Sequence, residues 1–298
     1  MLLISFSLYG QKYDNIWPMG YNYDSCTYYI DFMDSFEIFP TCLGVEFLNI
    51  SNSSICDSMG NLLFYSNGNR IANRNHQIMV NGHGINNTNN INYINGYPSK
   101  TLILQKPNSN DLFYLFHSEY PTNFNGQISY GNAIKFNYSL IDMNFNTSDG
   151  EVIMKNIPIL NDTIGGGGNL LTACKHANGQ DWWILLPKYN SNVYYRFLIA
   201  EDSIYGPFRQ EVGYSFSGID WSGQDVFSPD GSLYIRYDPQ NQAHLYDFNR
   251  CAGELSYRQQ INVPSRSNAG GLPFPKTLVF YILPMIPLFF SMICRQQI

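Results

Sequence analysis

Charged side chains are scarce in this chain of 298 residues, at 13% of the sequence, and its 17 basic residues are outnumbered by 23 acidic ones. The formal net charge at pH 7 is therefore -6. A protein that binds nucleic acid needs a basic surface to replace the counterions of the phosphates, so this composition excludes a nucleic-acid partner. The hydrophobic content, 44%, is also too high for an intrinsically disordered chain.

Cysteine is sparse as well, and six residues in this length are too few for a disulfide scaffold. Cys26 and Cys42 lie 16 residues apart and could pair if the protein is exported. Outside the C-terminal tail no long window carries apolar residues at helical spacing, so we expect few helices. Motifs for metal ligands, a phosphate loop or a catalytic nucleophile are missing too, so the sequence predicts no metal, no cofactor and no catalytic residue.

Aromatic and turn-forming residues are abundant by contrast. Aromatics make up 16% of the chain, which also contains 24 glycines, 15 prolines and 34 asparagines. Aromatic side chains are enriched in β-strands, whereas glycine, proline and asparagine are enriched in turns. This composition predicts an all-β protein with many tight turns.

A short pattern recurs along the chain: a polar turn and then four to six aromatic or aliphatic residues. Its four copies read LLFY, LFYLF, WWILL and LYIRY, and they follow turns that end at Asn61, Asp111, Asp181 and Ser232. The spacings between these positions are 50, 70 and 51 residues. Repeats of this length, each built from four short antiparallel strands, are typical of propeller blades. We therefore predict one incomplete β-propeller of about five to six blades over residues 11–274.

The first ten residues, MLLISFSLYG, are apolar and end in small or polar residues. They are typical of the later part of a secretory signal peptide, although the charged region that precedes such a segment is missing. Our interpretation of residues 1–10 is a truncated signal peptide, and the alternative is a first β-strand.

The C-terminal tail, residues 275–298, contains the 18-residue uncharged run TLVFYILPMIPLFFSMIC. The run is long enough to span a membrane as a helix, but Pro284 and Pro287 each remove a helix hydrogen bond. A single added nucleotide near Lys276 would turn the tail into a polar, alternating sequence like that of another blade. We expect a frameshifted continuation of a blade and no genuine membrane span; a membrane segment and a buried strand are the alternatives.

Three stretches resemble a known group of proteins: residues 54–84, which include GNLLFYSNG, then Leu171–Tyr195, and Gln224–Ser256 with its FSPDGSLYIRY motif. They are similar to the N-terminal propeller region of large secreted proteins of Bacteroidetes, which often end in a gliding-motility or type IX secretion sorting domain. The resemblance covers most of residues 17–262. It implies a WD-repeat-like β-propeller that is exported through the cell envelope and has no established chemistry.

The densest cluster of functional groups lies around the turn that precedes WWILL. Lys175, His176 and Asp181 could bind an anionic or sugar ligand, and Trp182 could stack on a pyranose ring. The alternative is structural: His176 and Asp181 would brace a two-residue hairpin turn at Asn178-Gly179, and one tryptophan would pack in the core. Side chains alternate along a strand, so Trp182 and the next tryptophan should face opposite sides.

Two functions follow as hypotheses. The first is a secreted or cell-surface binding and scaffold module that has a protein or a carbohydrate as its partner in adhesion or gliding motility. The second is an exported propeller hydrolase or lyase that acts on polysaccharide with carboxylates or a histidine at the central channel. The first is favoured because no catalytic motif is found.

Overall fold

The structure is a computed structural model, and its described strands pair antiparallel with their neighbours apart from one parallel pair. At positions 26, 27, 29, 40–42, 270–271 and 283–284 the structure describes the backbone without the side chains. The described residues are 12–19, 26–33, 37–42, 52–87, 101–121, 132–145, 149–165, 171–218, 223–263, 270–271 and 283–284.

The first sheet has three strands in the order β1-β2-β3. Their bounds are β1 Ile16–Met19, β2 Cys26–Asp31 and β3 Glu37–Cys42. Strands β2 and β3 form a hairpin whose register runs without a shift from Asp31 opposite Glu37 to Cys26 opposite Cys42.

The next eight strands form two four-stranded meanders. The first contains β4 Ser53–Cys56, β5 Leu62–Ser66, β6 Arg70–Asn73 and β7 Ile78–His83. The second contains β8 Thr101–Gln105, β9 Leu112–Glu119, β10 Ala133–Asp142 and β11 Glu151–Ile164. The two meanders meet at their outer strands through one parallel pair, Glu151 opposite Val80.

Two further four-stranded sheets follow, each with its strands in chain order. One contains β12 Thr172–Lys175, β13 Trp182–Pro187, β14 Val193–Ile199 and β15 Ile204–Glu211. The other contains β16 Gln224–Phe227, β17 Leu233–Asp238, β18 Gln242–Asn249 and β19 Glu254–Ile261.

The four repeat copies in the sequence are the second strands of these four sheets, β5, β9, β13 and β17. A second strand is hydrogen-bonded on both edges and covered on both faces, which explains its nearly continuous aromatic and aliphatic sequence. In β13, for example, all six residues are buried. The predicted scarcity of helices also holds for the described residues, in which Ile85–Asn87 forms a 3-10 turn.

Neighbouring sheets stack face to face in chain order. Separate apolar clusters lie between the β4–β7 and β8–β11 sheets, between β8–β11 and β12–β15, and between β12–β15 and β16–β19. The first strands of neighbouring sheets also contact each other, as β4 contacts β8 and β12 contacts β16. This is the arrangement of consecutive propeller blades, which radiate from their first strands. The all-β prediction is confirmed, and the blade count stays a prediction.

The two ends of the chain are described only in part. Residues 1–10 lie outside the described residues, and so does most of the tail. A short pair joins β20 Gly270–Gly271 to β21 Leu283–Pro284, whose residues belong to the apolar run. Among the described residues, no helix has the length and apolar character needed to cross a membrane.

Candidate functional site

The predicted ligand-binding residues lie on the turn between β12 and β13. His176 N–H donates to the Asp181 carbonyl at 2.9 Å, and Gly179 N–H donates to the His176 carbonyl at 2.9 Å. Gly179 has a φ of +76°, which closes the turn at no steric cost. The loop therefore contains four residues, so the expected two-residue hairpin at Asn178-Gly179 is wrong.

Side chains explain why this loop is wider than a two-residue turn. Asn178 Oδ1 accepts the backbone N–H groups of Gln180 and Asp181, each at 3.0 Å, and its amide donates to Asp181 Oδ2 at 2.8 Å. His176 Nδ1 accepts the Asn178 N–H at 3.0 Å. The side chains of Asn178 and His176 thus accept hydrogen bonds from backbone N–H groups of the wider loop.

His176 also connects this turn to the adjacent sheet. Because its Nδ1 accepts a hydrogen bond, its Nε2 carries the ring proton and donates a hydrogen bond to the Cys251 carbonyl at 3.1 Å. His176 and Asp181 therefore brace the turn, as the structural alternative expected. Ligand binding by the same two residues stays a prediction.

Lys175 and Trp182 pair at the base of the turn. The Lys175 ammonium lies 3.6 Å from the centroid of the Trp182 ring and donates to the Gln180 carbonyl at 3.0 Å. Burial lowers the pKa of Lys175 to about 8, and the negative charge of Asp181 opposes this effect. Trp182 is only 4% exposed and its indole donates to the Gln105 carbonyl at 3.1 Å, so the ring lies beneath the lysine.

The two neighbouring tryptophans face opposite sides of the sheet, as predicted. Trp182 packs in the cluster shared with the β8–β11 sheet, and Trp183 packs in the cluster shared with the β16–β19 sheet. The Trp183 indole donates to the Arg250 carbonyl at 2.8 Å. Both rings are therefore core residues that join the β12–β15 sheet to its neighbours.

Arg250, in the turn between β18 and β19, holds two other turns with its guanidinium group. It donates to the Lys175 carbonyl at 2.9 Å and to the Asp230 carbonyl at 2.7 Å. It also lies 3.3 Å from the His176 carbonyl. The turns of the two preceding sheets are also joined, because the Asn108 side-chain amide donates to Glu201 Oε2 at 2.6 Å. In each sheet, the turn from the first to the second strand and the turn from the third to the fourth strand lie at this same end. We call this end of the sheets the turn face.

A row of polar side chains that the sequence analysis missed crosses the β16–β19 sheet. Asp225 lies opposite Arg236, and Arg236 lies opposite His244. Asp225 is 4% exposed and Arg236 is fully buried. The hydroxyl of Tyr234 donates to Asp225 Oδ2 at 2.5 Å, and the Arg236 guanidinium lies 3.7 Å from the centroid of the Phe216 ring.

His244 lies at the outer end of this row. Its Nε2 donates to the Asn241 carbonyl at 2.8 Å, so its Nδ1 is the acceptor for the Tyr257 hydroxyl at 3.2 Å. The ring of Tyr214 stacks on it at 4.2 Å. Burial lowers the pKa of His244, and the positive charge of Arg236 acts in the same direction. A sequence signal existed, since QDVF and LYIRY each place one charge inside an apolar strand.

A second buried polar cluster surrounds His117 on β9. Its Nδ1 lies 2.5 Å from Asn86 Oδ1 and its Nε2 lies 3.2 Å from the Ser139 hydroxyl. The same hydroxyl accepts the Asn156 N–H at 3.2 Å. The histidine is fully buried, and burial lowers its pKa to about 3.

Among the residues that the structure describes, no three histidine, cysteine, aspartate or glutamate side chains are grouped as metal ligands. His117, Asp225 and His244 instead form hydrogen bonds to protein atoms of the neighbouring strands and loops.

No protein-family model matches this sequence, and no curated protein matches it. Solved structures that are similar include the periplasmic gluconolactonase PpgL of Pseudomonas aeruginosa, at 10% identity and a TM-score of 0.41, over 80% of this chain. A candidate 6-phosphogluconolactonase of Bacteroides fragilis is 9% identical with a TM-score of 0.34, over 87% of this chain and 85% of the other. A puromycin hydrolase is 9% identical with a TM-score of 0.28, over 78% of this chain.

The chain spans 64% of the length of the gluconolactonase structure and 27% of the length of the puromycin hydrolase. All three TM-scores are below 0.5, so these similarities assign no function to this chain. The propeller arrangement rests on its own strand order and on the stacking of its sheets.

Proposed function

We propose that this chain is an exported β-propeller that acts as a cell-surface binding module and binds a carbohydrate through its turn face. The observation that carries the proposal is the turn at 176–181, where polar side chains are held in place by their own loop and by the adjacent sheet. Export is part of the proposal and is supported by the apolar first ten residues and by the sequence resemblance described above.

Rigidity makes this turn suited to binding. A loop that is already ordered loses little conformational entropy when a ligand binds, so more of the interaction energy remains as affinity. Here Asn178 satisfies two backbone groups, and Arg250 joins the turn to two turns of the adjacent β16–β19 sheet. The recognition surface is thus formed before a ligand arrives.

The exposed groups of the turn fit a polyhydroxylated ligand. Asn178 and Gln180 are exposed, and Asp181 is half-buried beside them. Amide groups donate and accept hydrogen bonds and a carboxylate accepts them, which matches the hydroxyl groups of a sugar. Since Lys175 covers the Trp182 ring, the sugar would contact the turn and the ammonium group and would not stack on the indole.

A glycan array with the purified full-length chain tests this proposal. We expect selective binding to one class of glycans and about a tenfold loss of affinity for Gln180→Ala, since one good hydrogen-bond partner is worth about 1.4 kcal/mol. The matched control is Gln259→Ala, because Gln259 is equally exposed but lies on the outer strand β19. Absence of glycan binding, or equal affinities for the two variants, would contradict the proposal.

A second candidate function is that of an exported hydrolase, and the row of Asp225, Arg236 and His244 favours it. A carboxylate or an imidazole is the usual general base, and a guanidinium group stabilises a developing oxyanion. The similar solved structures carry the names of lactonases and of a hydrolase, which indicates the substrate to try first.

The assay for this candidate is the ring opening of gluconolactone by the purified chain, followed by acid release above the spontaneous rate. If the row is catalytic, Asp225→Asn lowers the rate about 100-fold or more, whereas Asp247→Asn leaves it unchanged. Asp247 is the control because it lies on β18 of the same sheet and its side chain is 51% exposed. A wild-type rate equal to the spontaneous rate rejects this substrate and favours the binding module.

A further inference from the structure

The hairpin of β2 and β3 places two cysteines directly opposite each other. Cys26 is the first residue of β2, Cys42 is the last residue of β3, and the register assigns their Cα atoms as partners. Six consecutive pairs match without a bulge between the hairpin loop and this position. The pairing of the two cysteines is therefore set by the same ladder as the rest of the hairpin.

Opposite residues in an antiparallel ladder have Cα atoms about 4.5 to 5.5 Å apart. A disulfide requires a Cα separation of about 4.4 to 6.8 Å, and the separation at this register position falls within that range. A shift by one residue would instead offset the two cysteines along the strands. The sequence spacing of 16 residues allows many arrangements, and the register selects the one that permits a bond.

The other cysteines that the structure describes have different surroundings. Cys56 and Cys174 are free and buried, and burial raises the pKa of each thiol to about 12, so neither forms a reactive thiolate near neutral pH. Cys251 is free and exposed in the turn that follows β18. None of these three lies on β2 or β3.

We propose that Cys26 and Cys42 form an intramolecular disulfide that closes the open end of the β2–β3 hairpin when the chain meets a disulfide oxidant such as oxidised glutathione. One cysteine thiolate attacks the glutathione disulfide and releases one glutathione thiolate. The second cysteine thiolate then attacks the mixed disulfide and releases the other. Two protein thiols are oxidised to one disulfide, glutathione disulfide is reduced to two thiols, and the two protons pass to the glutathione thiolates.

The disulfide would link β2 and β3 of the three-stranded sheet covalently. Among the described strands, β3 is the edge strand of this sheet and pairs with β2. A disulfide at the end opposite to the hairpin loop would keep β3 paired even when its hydrogen bonds open. The inference does not depend on the proposed function, because it concerns a sheet other than the one with the 176–181 turn.

Peptide mapping of the full-length chain tests the proposal. The native protein is incubated with a mixture of reduced and oxidised glutathione, remaining thiols are alkylated in denaturant, and the protein is digested without reduction. We expect one linked peptide pair that contains Cys26 and Cys42 and that separates after treatment with dithiothreitol. Recovery of both residues in alkylated form, or of either one linked to another cysteine, would overturn the proposal.

Single variants provide the controls. Cys26→Ser and Cys42→Ser should each abolish the linked pair and leave the remaining cysteine alkylated, whereas Cys251→Ser should leave the linked pair intact. If a serine variant fails to fold, the wild-type map still decides the outcome, because it identifies the partners directly. A wild-type chain that forms the same linked pair only after unfolding would show that the native register does not produce it.

Discussion

His117 shows how one side chain makes the stability of this protein depend on pH. The ring is fully buried, its two nitrogens are satisfied by Asn86 and Ser139, and its pKa falls to about 3 from an ordinary value of 6.5. Between these two values the unfolded chain binds a proton and the folded chain does not. The stability contributed by the neutral ring is therefore complete above pH 6.5 and is lost as the pH falls toward 3.

We expect the free energy of unfolding to decrease by about 1.4 kcal/mol per pH unit from His117 alone as the pH falls from 6 to 4. Urea denaturation at several pH values measures this slope, and His117→Gln should reduce it by that amount. The control is Ser139→Ala, which removes a hydrogen-bond partner but no titrating group. It should lower stability at every pH and keep the slope, and a His117→Gln slope equal to that of the wild type would refute the argument.

Two glycines with left-handed backbones permit a matched comparison. Gly179 has a φ of +76° and open space around it, whereas a Cβ at Gly253, with a φ of +68°, would lie 2.6 Å from the Trp183 ring. Gly179→Ala should cost about 1 to 2 kcal/mol from backbone strain alone. Gly253→Ala adds overpacking and should cost about 1 to 3 kcal/mol more. Thermal or urea unfolding measures both values, and similar losses would mean that the indole moves freely.

At the scale of elements, the turns of neighbouring sheets depend on each other. Arg250 joins the 176–181 turn to the turn at 228–232 through backbone carbonyls, and the N–H of Ala177 donates to the Arg250 carbonyl at 3.2 Å. Hydrogen bonds from a charged donor are worth about 1.5 to 3 kcal/mol each. The order of the candidate binding turn therefore derives in part from the sheet that follows it.

Arg250→Ala should increase hydrogen exchange at 176–181 and 228–232 and lower overall stability by about 2 to 4 kcal/mol, because the carbonyls lose a charged donor. Hydrogen exchange with mass spectrometry locates the effect. Arg209→Ala is the control, since Arg209 lies on an outer strand and forms an exposed ion pair with Glu211. Faster exchange spread evenly over the chain would contradict a local role for Arg250.

At the scale of the whole molecule, neighbouring sheets share the apolar cluster that lies between them. Tyr194 of the β12–β15 sheet is fully buried against Tyr234 and Tyr246 of the β16–β19 sheet, and its hydroxyl donates to that of Tyr246 at 2.9 Å. Its pKa is raised by burial, so the phenol stays neutral. The two sheets share one apolar cluster and should unfold as one unit.

Tyr194→Ala should lower the free energy of unfolding by about 3 to 5 kcal/mol, as large truncations in a core do. Hydrogen exchange should accelerate in both sheets and not in the β12–β15 sheet alone. Tyr205→Ala provides the control, because Tyr205 is 43% exposed on an outer strand and should change stability by less than about 1 kcal/mol. Loss of protection confined to one sheet would show that the sheets are independent.

Local sequence patterns predicted a large part of this fold. The aromatic strands that follow polar turns are second strands, and the alternation of Trp182 and Trp183 gave their opposite faces. Both features depend on residues within one strand and its turn. The predicted width of the turn at Asn178-Gly179 was wrong. The width depends on hydrogen bonds that the side chains of His176 and Asn178 accept, and the preferences of a dipeptide do not include them.

The candidate sites were harder to predict for the same reason. The sequence indicated the cluster at Lys175–Trp182, but it did not show that the lysine would cover the indole. The row from Asp225 through Arg236 to His244 was missed, because its members are distant in sequence and meet only when three strands pair in one register.

The sequence by itself determined the all-β class, the acidic charge and the positions of the four aromatic strands, because these follow from composition and from local patterns of side chains. The tertiary structure alone decided which groups meet: Arg250 with two turns, Asp225 with Arg236, and Cys26 opposite Cys42. These contacts depend on strand register and on the stacking of sheets. Both are set by the packing of the whole core, which no short segment contains.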